Sequence, residues 1–242
     1  MKKVILAFTV LLSLCGPGQA KKESFHVPFY SNSNAKFTFR IPPGWEEIPP
    51  ATIRQINASM QSLTGAKGPG IATGFRKTSE NPPQAMVTVN IIKGRVVWKD
   101  FLKDYGNMDK ITKEMKKDFS TLESANVGTP VVDDKRKMVL FPASYEFKNK
   151  AKASGTVLAA CGSGTLVTIY FPGKDGADPD VEAFKKTVFA SFTFSKGYEY
   201  GARTTGNPLS RPVVCGIIGG LVALLVTSRK KAKEEKKKKA AK

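Results

Sequence analysis

The chain has 242 residues and a formal net charge of +19, from 39 Lys and Arg against 20 Asp and Glu. One His and three Cys are too few for a His/Cys-rich zinc site. Cys15 and Cys215 lie in apolar terminal segments, so Cys161 has no disulfide partner within the intervening domain.

Residues 1–20 read as an export signal. Lys2 and Lys3 precede a short apolar core, Gly16-Pro17 breaks any helix, and Gly18 and Ala20 place small residues at −3 and −1 of a cut after Ala20. Acylation at Cys15 is the competing reading, but Leu14 stands where such signals want a small residue.

The exported domain, residues 21–195, is long enough for one substantial core. Phe37, Phe39 and Ile41 alternate with Lys36, Thr38 and Arg40, which predicts a strand with one wet face, stopped by Pro42-Pro43-Gly44 and followed by Trp45. Ile53, Ile56, Met60 and Leu63 recur at helical spacing from about Ala51, and residues 65–70 form a flexible loop. Two strands follow at 71–77 and 85–92, joined by Glu80-Asn81-Pro82-Pro83. A longer helix presents Trp98, Phe101, Tyr105, Met108, Ile111, Met115 and Phe119 as its apolar stripe.

Strands then dominate. Residues 130–132 and 137–147 flank a polar turn at 133–136, and Pro142 suggests a bulge or an edge. Residues 155–161 and 165–171 flank Gly162-Ser163-Gly164, a hairpin signal. Asp178-Pro179 predicts a cap and a first helical Pro, opening a helix through Phe189. A strand at 191–194 closes the domain, and residues 196–211 read as a linker. Adjacent hairpins with singly inserted helices predict an α+β domain with a largely antiparallel sheet.

Residues 213–227 carry no charge. At 1.5 Å per residue they reach about 22 Å against a hydrocarbon core of about 30 Å. Pro212 and Ser228 extend the segment to about 26 Å, and flanking Arg211, Arg229 and Lys230 can snorkel. We therefore expect a transmembrane helix over 212–228. The polybasic tail, residues 229–242, includes Arg229, Lys230 and Lys231 and is expected to stay cytoplasmic. Export of the N-terminus predicts the same orientation. The tail attracts anionic headgroups and lacks an aromatic residue to stack on bases, so no nucleic-acid partner is expected. Gly216 and Gly220, four apart, are candidates for homodimeric helix association. Processing of the anchor after export is the alternative, although no sorting motif precedes it.

The wording Phe37-Thr38-Phe39-Arg40-Ile41-Pro42-Pro43-Gly44-Trp45, with the ending Phe184-Lys185-Lys186-Thr187-Val188-Phe189-Ala190-Ser191-Phe192, resembles the PsbP/Mog1-like superfamily. The resemblance implies an antiparallel sheet between helical layers, an α/β/α sandwich. It also implies a non-catalytic accessory or binding role, with no binding residues to transfer. The membrane anchor departs from the family's soluble members.

No catalytic set stands out. His26, the sole histidine, sits among Phe25, Val27 and Phe29 as on an edge strand, and Cys161 lies in an apolar run expected to be buried. Asp175, Asp178 and Asp180 are calcium candidates without EF-hand spacing; a capping role is favoured for this cluster. Asn57-Ala58-Ser59 fits a glycosylation sequon, relevant only in a eukaryotic secretory context. No cofactor is expected. The leading expectation is a non-enzymatic inner-membrane protein displaying a periplasmic domain to an envelope protein partner. The alternative is an envelope hydrolase using carboxylates assembled by the fold.

Overall fold

The structure is a computed structural model and describes residues 28–64, 70–77, 86–105, 113, 122–148, 152–173 and 178–202. The expected signal, His26, the transmembrane helix and the polybasic tail lie outside the described residues. So does the expected helix beyond Tyr105, apart from residue 113. Among the described residues, no helix is long and apolar enough to cross a membrane.

Eleven strands and three helices are described: β1 (Phe29–Asn32), β2 (Phe37–Arg40), β3 (Trp45–Glu47), α1 (Pro50–Thr64), β4 (Thr73–Lys77), β5 (Met86–Lys93), α2 (Trp98–Tyr105), β6 (Leu122–Val127), β7 (Val131–Asp133), β8 (Met138–Phe147), β9 (Lys152–Gly162), β10 (Thr165–Pro172), α3 (Pro179–Ser191) and β11 (Thr193–Phe194). They form two antiparallel sheets. The larger runs β3-β4-β5-β10-β9-β8-β6, with β7 also on β8, and the smaller runs β1-β2-β11.

Residues on β9 and β10 are buried on both faces, and their alternation divides the interior in two. Val157, Ala159 and Cys161 point into one core with Ile53 of α1 and Trp98 and Phe101 of α2. Leu158 and Ala160 point into the other, with Phe184 and Val188 of α3 and the aromatic residues of the small sheet. The period of two that marks a strand thus feeds two apolar layers at once.

The expected α/β/α sandwich is corrected on this second face. Its cover is α3 together with the three-stranded sheet, not helices alone. A single 13-residue helix is too narrow to cover so wide a sheet. Phe37, Phe39, Phe192 and Phe194 shield the remainder.

Local chemistry explains the element boundaries. Asp178 Oδ1 accepts from the Asp180 and Val181 main-chain N–H groups at 2.9 and 3.2 Å, capping α3 ahead of Pro179. The helix runs two residues past its expected end, to Ser191, whose Oγ donates to Thr187 O at 2.6 Å. Gly164, at φ +70°, turns β9 into β10. Gly155 admits no side chain: a Cβ there would lie 2.4 Å from Phe171 O and from the Tyr170 ring.

Pro142 marks neither a bulge nor an edge. It lies inside β8, opposite Thr156 of β9, and its carbonyl accepts from Gly128 N at 2.9 Å. A residue in an antiparallel ladder presents N and O to the same neighbour. The missing N–H therefore faces residues 128–130, where the ladder already breaks between β6 and β7.

Candidate functional site

Among the described residues, an assembly of ionisable and aromatic side chains lies at the end of the large sheet that carries the β9–β10 turn. Lys137 occupies the left-handed region at φ +53°, just before β8. Its Nζ is 2.9 Å from Asp134 Oδ1. It also stands 5.6 Å from the Trp98 ring centroid and 6.0 Å from that of Tyr200. Trp98 Nε1 donates to the same Asp134 oxygen at 2.7 Å. The two hydrogen bonds, from Lys137 first and Trp98 second, hold the Asp134 carboxyl below its ordinary range. The Lys137 ammonium is enclosed by a carboxylate and two aromatic faces, an arrangement that fixes a loop and leaves the amine poorly placed for nucleophilic attack.

Tyr200 reaches this cluster because the chain after β11 folds back over the sheet. Tyr198 O accepts from Ser163 N at 2.9 Å, and Tyr200 OH accepts from Trp98 N at 2.9 Å. Glu199 bridges to Gly162. Residues 196–202 are thus a packed strap, correcting the expectation of a linker from 196 onward. The rings of Tyr198 and Tyr200 pack against opposite cores, the spacing of an extended segment. That period-two signal was present in the sequence but only two side chains long.

The adjacent turn is equally committed. Arg136 Nε donates to Asp133 Oδ2 at 2.6 Å and its Nη1 to Phe189 O at 2.7 Å, near the C-terminal end of α3. Hydrogen bonds from the Arg136 main chain and then its side chain lower the Asp133 pKa. Since α3 carries no basic residue in its last turn, Arg136 supplies the cation that favours a helix C-terminus.

The residues singled out from sequence are scattered. Cys161 is fully buried, and burial pushes its thiol up to about 12, opposed by the nearby Lys137 charge. Asp178 is the cap described above. Asp180 pairs with Lys77, while Asp175 lies outside the described residues. Among the described residues, no group of three His, Cys, Asp or Glu side chains could hold a metal ion. Gly216, Gly220, Arg229, Lys230 and Lys231 lie outside the description.

Two features escaped sequence reasoning. A polar cleft of about 450 Å3 is lined by residues 29–34 with Ile41 and Glu47. Tyr30 faces it, its hydroxyl pKa raised chiefly by burial. Asn57 is also not an open acceptor for modification. Its Oδ1 accepts from Ile71 N at 2.8 Å and its Nδ2 donates to Ile71 O at 2.9 Å, tying α1 to the approach to β4.

The two motifs that carry the family resemblance meet in space. Trp45 packs edge-on against Phe184 at 4.5 Å between centroids. Phe37 stacks on Phe192 at 5.3 Å, with Phe39 at 6.4 Å from the same ring. The aromatic residues of both motifs are therefore part of one core.

No family model matches the chain, and no curated protein matches it. Among solved structures, cyanobacterial PsbP (CyanoP) from Synechocystis is similar at 16% identity and TM-score 0.45, over 74% of this chain and 100% of that one. A structure from Bacteroides thetaiotaomicron is similar at 11% identity and TM-score 0.38, over 69% of this chain and 48% of that one.

Proposed function

We propose that this chain is an exported, single-pass inner-membrane protein. Its α+β domain is PsbP/Mog1-like and serves as a non-catalytic accessory or binding module in the cell envelope. The observation carrying the module reading is the contact between the two motifs: residues far apart in the chain, both used in the resemblance, form one aromatic core. The anchoring reading rests on the apolar segment 213–227 and the basic residues that follow it. The chemistry at the turn end supports a structural assignment for its ionisable groups, since Asp133, Asp134, Arg136 and Lys137 hold one another and the strap.

Protease treatment of spheroplasts expressing the full chain tests this reading. The expected result is digestion of the domain from outside, with a short C-terminal fragment protected in the membrane. Export without membrane retention would refute the anchor. The binding role is tested by crosslinking in intact cells, with a specific envelope protein recovered as the expected result. Hydrolytic activity of the purified chain, lost on replacing a single carboxylate, would replace the accessory reading with the enzymatic one.

A further inference from the structure

We infer that the turn end of the domain is a docking surface for the anionic headgroups of the membrane that holds the anchor; this rests on the anchoring reading above. Strand registers bring the basic residues together. Lys93 pairs with Thr165 at the start of β10, beside the β9–β10 turn, and Gly94 N donates to Gly164 O at 3.0 Å. Arg95 and Lys99 flank this connection into α2. Lys135 sits in the turn before β8, whose next residue but one, Lys137, accepts from Cys161 N through its carbonyl. Lys196 begins the strap that crosses Gly162 and Ser163. Lys93, Arg95, Lys99, Lys135 and Lys196 are all exposed, and none has an ion-pair partner among the described residues.

The acidic groups at this end do not cancel them. Asp133 is paired with Arg136, and Asp134 with Lys137. Among the described residues, Glu199 and Asp100 are the remaining exposed carboxylates at this end, against five unpaired cations. Among the described residues, the surplus at this end is positive.

Tether length determines which end meets the bilayer. The described chain leaves the domain at Ala202, on this same end, and nine residues, 203–211, separate it from the expected span. Fully extended, the links from Ala202 to Pro212 reach about 33–36 Å. Lys148 and Lys152 lie at the opposite end of β8 and β9. The 11-residue β9 places that end about 33 Å farther away. Presenting the far end would pull the whole tether straight back along the sheet at the cost of its conformational freedom, whereas the turn end is reached with slack. Each cation near an anionic leaflet favours the docked arrangement by about fivefold, so several acting together suffice to orient the domain.

Lysine acylation footprinting of the full mature chain in nanodiscs tests this. Discs of phosphatidylcholine alone are compared with discs containing phosphatidylglycerol, after a flotation step that measures incorporation. The expected result is incorporation into both, with labelling of Lys93, Lys99, Lys135 and Lys196 slowed at least about fivefold in the anionic discs. Lys148 and Lys152 should label equally in both, and the difference should vanish at about 0.5 M salt. Incorporation with identical labelling, protection of the far end, or protection that survives high salt would each overturn the docking surface while leaving the anchor intact. Failure to incorporate would overturn both.

Discussion

Trp45 and Phe184 belong to the two motifs that opened and closed the family resemblance, and their contact can be measured. Both are buried, Phe184 completely, with centroids 4.5 Å apart at 65°. Alanine at either site would remove about 3–5 kcal/mol, a large share of the roughly 5–15 kcal/mol that holds an ordinary domain folded. Leucine is the better probe. Trp45→Leu and Phe184→Leu should each cost about 1–3 kcal/mol, leaving the fold intact for measurement. The edge-to-face pair should contribute about 0.5–1.5 kcal/mol beyond its buried area. The double variant should therefore be less destabilised than the sum of the singles by that amount. Urea unfolding followed by far-UV circular dichroism suits the cycle, because one substitution removes a fluorescent Trp. Additivity within about 0.3 kcal/mol is the behaviour of distant sites and would refute the claim that the motifs form one core.

Other expectations follow from single contacts. Asn57→Ala strands both main-chain groups of buried Ile71 and should cost about 2–4 kcal/mol, with faster amide exchange at Ile71; unchanged exchange would exclude the clamp. Gly155→Ala forces a Cβ against the Phe171 carbonyl and should lower stability by about 1–3 kcal/mol, read as a reduced unfolding temperature. Tyr200→Phe keeps the ring over Lys137 but leaves Trp98 N without its acceptor. It should loosen the strap and increase proteolysis there. Native Cys161 should resist thiol reagents at neutral pH. Its folded pKa of about 12 exceeds the unfolded value near 8.5, so the folded state binds the extra proton. Stability should then fall as pH rises from about 8.5 towards 12, by at most about 1.4 kcal/mol per unit for this thiol. Cys161→Ala should flatten that slope.

The strand pattern was legible because alternation reports burial directly. Phe37 and Phe39 are buried where the sequence placed its dry face, and the hairpin around Gly162-Ser163-Gly164 pairs as expected. Asp178-Pro179 likewise carries its function locally: the cap needs only the next three residues. The strap was missed because its stability comes from partners far away in the chain. Tyr200 meets Trp98 across 102 positions, and no short-range pattern encodes that. Lys137 read as the first residue of a strand, and its aromatic enclosure exists only once α2 and the strap converge on it.

The sequence by itself determined the alternating apolar strands, the capped closing helix, the burial of Cys161 and the two aromatic motifs, because each follows from nearest neighbours and periodicity. Tertiary structure decided that one face of the large sheet is covered by a helix and a second sheet together. It also decided that Pro142 falls at a gap between β6 and β7, that Asn57 is consumed by a clamp, and that Lys93, Arg95, Lys99, Lys135 and Lys196 gather at the end where the described chain leaves the domain. Those outcomes depend on strand order and crossing, which join residues a hundred positions apart and leave no local trace in the chain.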